Sequence, residues 1–169
     1  MPSILASKKE QIKSTFYFKN PKKISFETNS NLKVKYVMLF KMELIISGII
    51  CGIILLQTSV IAPSIFKYLN QSQTRDLLRA IFPKFFLFIL LLASLSLVIG
   101  FLNKVQFDIQ TTVSSLTVVL STLCYIIIPS TNEAKDNNNQ KRFKFLHNVS
   151  VISTVIILIT NLSLVFFII

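Results

Sequence analysis

The sequence predicts an all-α integral membrane protein, a bundle of four transmembrane helices. The chain is 52% hydrophobic and only 15% charged, whereas a soluble domain carries about 25% charged residues. The charged residues also avoid four long apolar runs. Each run has roughly the 20 residues that a helix needs to cross the ~30 Å hydrocarbon core. Because lipid offers no partner to unpaired backbone groups, these runs should be helices.

The apolar runs place the four spans at about residues 44–62, 84–102, 109–129 and 148–169. The preceding segment, residues 1–41, carries nine lysines against two glutamates and no sustained apolar period. We therefore predict a basic, disordered tail at 1–41 and a membrane domain at 42–169. Two interpretations of the tail stay open. Either it attracts anionic lipid, or translation starts at Met38 or Met42 and the tail is not native.

Basic residues near the spans predict the orientation in the membrane. Without the tail, the side that holds both termini and the second loop has only Lys104, plus Lys41 if translation starts at Met38, whereas the other side holds eight Lys and Arg residues. The positive-inside rule then puts loops 63–83 and 130–147 in the cytoplasm. The membrane would be the plasma membrane, or the inner membrane of a bacterium. If the lysines of the tail are counted as well, the rule favours the opposite orientation, but only weakly.

The segment between the first two spans contains signals for a short interfacial helix. Pro63 should close the first span, because it lacks a backbone N–H donor. Asn70 and Gln73 have the spacing of a capping box. An amphipathic helix is expected at 72–81, and Pro83 should kink or restart the helix as it enters the membrane.

Two pairs of residues suggest contacts outside the chain or between its helices. Arg75 and Arg79 are candidate contacts for lipid head groups, although orientation anchors are the more common role of such residues. Gly48 and Gly52 form a GxxxG pair, which allows close approach of two helices. We expect this approach within the chain, with a homodimer as the alternative.

A set of polar residues within the spans forms stripes at helical spacing. On the third span the stripe also includes Cys124, and Gln57 of the first span should point into the bundle because a buried amide needs a partner. We call this set the polar seam, and it comprises Gln57, Ser114, Thr117, Ser121, His147, Ser150, Thr154 and Asn161. The seam could form a polar pathway, but packing helped by local hydrogen bonds is the favoured interpretation. His147 is interpreted mainly as a cap or anchor at the membrane interface, with a proton-sensitive switch as the alternative.

The sequence contains no recognisable catalytic or cofactor-binding pattern. We placed none of the seven acidic residues inside a span, and the three glycines form no phosphate-binding loop. The two cysteines and the single histidine form no metal-binding pattern, so no cofactor or metal is expected. The basic charge lies near the membrane rather than in a nucleic-acid footprint. The expected partners are the lipid bilayer and the protein itself or another membrane protein.

Four stretches together resemble the transmembrane protein 205-like family, catalogued as domain of unknown function 4149. The stretches are 62–66 (APSIF), 81–86 (IFPKFF), 129–136 (PSTNEAKD) and 143–150 (FKFLHNVS). The resemblance covers about residue 42 to the C-terminus and implies a small multi-pass membrane protein without implying an activity. The pattern that includes His147 and Ser150 often continues with asparagine where Thr154 stands. The Asn-rich residues 136–139 resemble no part of a motif.

These observations favour a structural or accessory component of a membrane assembly. The alternative is a small transporter or export helper for a solute or metal ion that uses the polar seam. An intramembrane enzyme is the least favoured class, because no paired carboxylates or nucleophile with a base are present.

Overall fold

The computed structural model describes residues 21–102 and 109–168, and it confirms the predicted all-α bundle. Its helices are α1 (Pro21–Leu56), α2 (Ala62–Tyr68), α3 (Gln71–Leu102), α4 (Ile109–Asp136) and α5 (Gln140–Ile168), with a π-helical segment at Gln57–Ile61. Four helical stretches are long and apolar enough to cross a membrane: Val37–Tyr68, Gln71–Leu102, Ile109–Asp136 and Gln140–Phe166. The predicted tail at 1–20 and Lys104 lie outside the described residues.

The helices are longer than the apolar runs from which they were predicted. Helix α4 has 28 residues and so measures about 42 Å, which exceeds the ~30 Å core. Residues 21–41 are also helical, which differs from the disorder we expected there. Pro21 stands at the first helical position, where it is tolerated, and no glycine follows until Gly48.

Pro63 was expected to close the first span, but it lies inside helical structure, as do Pro83 and Pro129. Pro63 occupies the first turn of α2, directly after the π-helical segment, so its missing N–H falls where a helix tolerates proline. Pro83 lies within α3, and Pro129 lies within α4. Local adjustments in membrane helices can satisfy the carbonyl groups that a proline frees.

The capping box at the start of α3 is confirmed. Gln73 N donates to Asn70 Oδ1 over 2.9 Å, and Asn70 N donates to Gln73 Oε1 over 3.3 Å. The helix that begins here continues to Leu102, so residues 72–81 form its first turns rather than a separate interfacial helix. The short helix that precedes it, α2, lies within the first candidate span, Val37–Tyr68.

The loop between α4 and α5 is shorter and more specific than the sequence suggested. Asn138 has a φ of 53°, a left-handed conformation that asparagine adopts more readily than most residues. Arg142 N donates to Asn139 Oδ1 over 3.1 Å, which caps the start of α5. Two of the asparagines that we placed in no motif therefore form a tight helix-to-helix turn.

The core lies where α1, α3 and α5 meet. Its centre is formed by Ile50, Ile54, Ile89, Ala93 and Ile157, each at most 1% exposed. Helix α1 packs against α5, since Cys51 Sγ donates to Leu158 O over 3.8 Å. The opposite faces of these helices expose large apolar side chains such as Ile45, Leu91 and Ile159, as a bilayer requires.

Candidate functional site: a polar interior with a buried carboxyl

The inward face of α4 is polar along most of its length. Its buried residues are Gln110, Thr111, Ser114, Thr117, Ser121, Cys124 and Ala134. Successive members up to Cys124 are mostly three or four positions apart, which keeps them on one side of a helix. The stripe predicted on the third span therefore faces the interior of the bundle, and it begins one turn earlier than we predicted.

Two hydrogen bonds join this stripe to neighbouring helices. Asn161 on α5 is 2% exposed, and its Nδ2 donates to Thr117 Oγ1 over 2.9 Å. The hydroxyls of Ser96 on α3 and Ser114 on α4 are 2.8 Å apart and share a hydrogen bond. The stripe thus connects α4 to both α3 and α5.

Most other hydroxyls of the polar seam bond to their own helix. Thr117 Oγ1 donates to Val113 O over 2.8 Å, and Ser121 Oγ donates to Thr117 O over 2.7 Å. Thr154 Oγ1 donates in the same way to Ser150 O over 2.8 Å. Such bonds satisfy a hydroxyl without a ligand or water, so this part of the seam is internally bonded.

The α5 part of the seam does not lie entirely in the interior. Asn161 is buried, but Ser150 and Thr154 are only half-buried and His147 is exposed. The His147 ring stacks on Phe143 with centroids 5.7 Å apart and planes 6° apart. This position, near the start of α5, agrees with the anchor role that we favoured.

Gln57 is buried at the level where α1 gives way to the π-helical segment. Its side chain is 6% exposed, and its Nε2 has no hydrogen-bond partner among the described residues. Helices α1 and α5 run antiparallel, with Cys51 beside Leu158. That register puts Gln57 about level with Ser153, a 5% exposed residue of α5 that the sequence did not single out. π-Helical turns occur frequently at functional sites.

The most important residue that sequence reasoning missed is Glu43. We counted no acidic residue inside a span, but Glu43 lies in α1 within the first span and is 2% exposed. A Cβ built on Gly100 of α3 would stand 2.9 Å from Glu43 Oε1 and 2.7 Å from Thr111 Oγ1. The carboxyl therefore approaches α3 and α4 closely. Its position four residues before buried Ser47, on the same helical stripe, was the available signal.

The GxxxG pair of α1 does not mediate a contact between described helices. A Cβ added to Gly48 or Gly52 would meet nothing within 4 Å, and both residues are exposed. The inward small residues of this helix are instead Ser47 and Cys51, both buried. The prediction of an intrachain contact at the glycines is therefore not what the structure shows.

The two arginines of the first loop have different surroundings. Arg79 Nη2 pairs with Asp136 Oδ1 at the end of α4, so it links two helices. Arg75 lies 4.0 Å from Asp76, and both side chains are more than half exposed. Such an exposed pair contributes little to stability, which leaves Arg75 available to the membrane surface.

Within the described residues, no group of three or more His, Cys, Asp or Glu side chains could hold a metal ion. The arrangement instead offers hydroxyl, amide and carboxyl oxygens along the inside of a membrane bundle. Acid–base chemistry on a substrate would need a second titratable group beside Glu43. Among the described residues, the other acids with described side chains are Asp76, Glu133 and Asp136, which are not buried.

A comparison with known families assigns the chain to one of them. The family model described as "Domain of unknown function (DUF4149)" matches residues 45–140, more than half of the chain. No curated protein and no solved structure matches the sequence. The match includes the outward glycines, Gln57 and all of the buried stripe of α4, and it ends at the start of α5. The chain belongs to the DUF4149 family of proteins.

Proposed function

We propose that the protein is a structural or accessory component of a membrane assembly. The observation that carries this proposal is the contrast between the two faces of α1. The inward face is packed into the core, whereas Gly48 and Gly52 are open to the surroundings. Small residues four positions apart let the backbone of another membrane helix approach closely. The proposed contact is with a second copy of this chain or with another membrane protein.

The internal bonding of the polar seam supports the same role. Thr117, Ser121 and Thr154 each donate to a carbonyl of their own helix, and Asn161 bonds to Thr117. These side chains are satisfied within the bundle and need no solute in the seam.

The test replaces both glycines by leucine and compares complexes extracted in mild detergent by native mass spectrometry. The G48L/G52L variant should lose the subunits that the wild-type protein carries. Val119→Phe adds bulk to an exposed residue of α4 and should keep them. A wild-type protein that migrates alone, or a complex that survives both leucines, would contradict the proposal.

The second candidate function is a small transporter or export helper for a solute or metal ion. The observation that favours it is the length of the buried polar stripe on α4, together with the carboxyl of Glu43 at one end. Intramembrane ionisable residues commonly mark pathways. Single cysteines at Thr117 and Ser121, probed with a water-soluble thiol reagent, separate the two functions. Rapid labelling would support a hydrated pathway, and protection would support the sealed bundle.

We further propose that loops 63–83 and 130–147 face the cytoplasm, as the basic residues near the spans indicate. A reporter fused after Ile169 should then be active only outside the cytoplasm. The finer assignment to the transmembrane protein 205-like group rests on the motifs named above. Arg75 is the remaining candidate for lipid head groups, and Arg75→Gln should weaken flotation with anionic vesicles.

A further inference from the structure

A buried amide in the first span has a donor that the described residues leave unused. Gln57 is 6% exposed, and its Nε2 has no hydrogen-bond partner among the described residues. Asn161, a buried amide of the fourth span, donates from Nδ2 to Thr117 Oγ1 and to Ile157 O, each over 2.9 Å. Folded proteins satisfy nearly all such buried donors, either with their own acceptors or with ordered water. The contrast with Asn161 indicates that another molecule supplies the acceptor for Gln57.

The register of the helices places Phe86 of α3 about level with Gln57. Glu43 Oε1 on α1 approaches Gly100 on α3, and consecutive spans cross a bundle in opposite directions. Fourteen positions from each member of that pair lie Gln57 and Phe86. Leu102, the last described residue of α3, is 16 positions from Phe86, which is about 24 Å of helix. The missing acceptor is therefore not expected from the residues that follow Leu102.

Cys124 of α4 and Ser153 of α5 lie at the same level of the bundle. Ser153 is about level with Gln57 in the antiparallel register of α1 and α5. The Cys124 thiol donates to Ser150 O over 3.8 Å, and Ser153 is another of its hydrogen-bond partners. The buried residues at this level, which we call the amide layer, are Gln57, Phe86, Cys124 and Ser153.

The amide layer lies inside the apolar part of the bundle, about one and a half helical turns from one end of it. Gln57 is five positions before the end of the first apolar run at residue 62, and Ser153 is five positions after the start of the last run at residue 148. Five positions measure about 7.5 Å of helix. The nearest aqueous phase is therefore on the side of loops 63–83 and 130–147, only about 8 Å from the layer.

The chemistry of the amide layer selects an uncharged ligand. An N–H group can only donate, so the ligand must present an acceptor. Among the described residues, no buried side chain at this level carries a charge, and an ion without a counter-charge is costly inside a membrane. The hydroxyl of Ser153 can donate or accept, so it offers a second partner. A water molecule meets these requirements, since buried waters in proteins bond to several otherwise unsatisfied polar groups.

We propose that Gln57 and Ser153 bind one water molecule in the amide layer. The water accepts from Gln57 Nε2 and shares a hydrogen bond with the hydroxyl of Ser153, and Phe86 and Cys124 border it. The π-helical segment begins at Gln57, and such segments occur frequently at functional sites. This hydration site goes beyond the accessory role and does not depend on it, because a single bound water requires no continuous pathway.

The experiment is X-ray radiolysis of the full-length protein in lipid nanodiscs. Hydroxyl radicals formed from a bound water oxidise the side chains beside it, and peptide mass spectrometry quantifies the oxidation of each residue. The two cysteines provide a matched comparison, because Cys124 is 0% exposed and Cys51 is 4% exposed. Cys124 lies in the amide layer, whereas Cys51 is six positions before Gln57 on α1. Cys124 should therefore be oxidised several times faster than Cys51.

A radical scavenger in the bulk solvent separates bound water from solvent water. It should slow the oxidation of Tyr68, which is 74% exposed, without changing the oxidation of Cys124. The proposal is overturned if Cys124 is oxidised no faster than Cys51, or if the scavenger suppresses the oxidation of Cys124 and Tyr68 alike.

Three variants test which residues hold the water. Gln57→Leu removes the donor and should lower the oxidation rate of Cys124 to that of Cys51. Its matched control, Asn161→Leu, removes a buried amide whose Nδ2 has partners within the chain, and it should leave the Cys124 rate unchanged. An excess that persists in Gln57→Leu, or that Asn161→Leu removes equally, would contradict the proposal. Ser153→Ala should also lower the Cys124 rate, and it keeps the test open if Gln57→Leu does not fold.

Discussion

The acidic residues at the two ends of the bundle differ in their exposure and in their neighbours. At one end, Glu43 is buried beside Gly100 and Thr111. At the other, Asp136 pairs with Arg79, and Glu133 lies 3.8 Å from Arg142, with all four side chains at least 33% exposed. We call these the Glu43 end and the Arg79 end. Arg79 and Gly100 are 21 positions apart along α3, which is about 32 Å of helix.

This difference shows that an acidic residue near the end of a span can be either exposed in an ion pair or buried among other helices. Exposed ion pairs at the Arg79 end are weakened by solvent and contribute little each. A carboxyl removed from water is expensive, and its surroundings must match it closely. Substitutions at the Glu43 end should therefore have larger effects than those at the Arg79 end.

The largest effect is expected for Gly100→Ala. Its new methyl group would stand 2.7 Å from Thr111 Oγ1 and 2.9 Å from Glu43 Oε1, so one or both side chains must move. The expected loss is about 1–3 kcal/mol in the free energy of unfolding, measured by titration from mild detergent into SDS. Val119→Ile is the control and should cost little, because it adds a methyl group to a side chain that is 63% exposed. Equal losses in both variants would contradict the close approach at Gly100.

An effect of intermediate size on the free energy of unfolding is expected for the hydrogen bond from Asn161 to Thr117, which lies between the two ends. A double-mutant cycle of Asn161→Leu and Thr117→Val should give a coupling energy of about 0.6 kcal/mol and at most about 1.7 kcal/mol. Both residues are at most 2% exposed, so competition from water is small. Replacing Asn161 together with Ser163, whose hydroxyl donates to Ile159 O of its own helix, provides the uncoupled control cycle. A coupling energy indistinguishable from that of the control would argue against the bond.

The smallest effect is expected at the Arg79 end. Arg79→Gln should reduce the free energy of unfolding by about 0.2–1 kcal/mol, since both partners are partly exposed. The loss should shrink at high salt, because salt screens exposed charges. The charge-swapped pair R79D/D136R should recover part of it. A loss above that of Gly100→Ala would reverse the comparison between the two ends.

The features that could be predicted from the sequence depend on neighbouring residues of one helix or on the thickness of the bilayer. Four apolar runs without charged residues were enough to predict the fold class. The cap formed by Asn70 and Gln73 could be predicted because it depends only on two residues three positions apart. The inward stripe of Ser114, Thr117 and Ser121 followed from helical spacing. Each of these signals is contained within a single helix.

Other features depend on packing that the sequence does not display. The pair Gly48 and Gly52 predicts that another helix can approach closely, but it does not say which helix. In the structure both glycines face away from the other described helices. Pro63 was expected to close the first span because it lacks a backbone N–H, whereas it lies in the first turn of α2. Glu43 was assigned to the polar side because it borders an apolar run. Only the approach of α3 and α4 reveals that it is buried.

The central claim is that the polar face of α4 lines the interior of the bundle, in contact with α3. It is tested most directly by disulfide trapping of Ser96→Cys with Ser114→Cys, in a chain whose Cys51 and Cys124 are replaced by alanine. The two hydroxyl oxygens are 2.8 Å apart, so mild oxidation in the membrane should cross-link this pair efficiently. Leu95→Cys with Ser114→Cys, in which Leu95 is 52% exposed, should not cross-link. Failure of the Ser96 pair, or equal cross-linking of the Leu95 pair, would contradict the account.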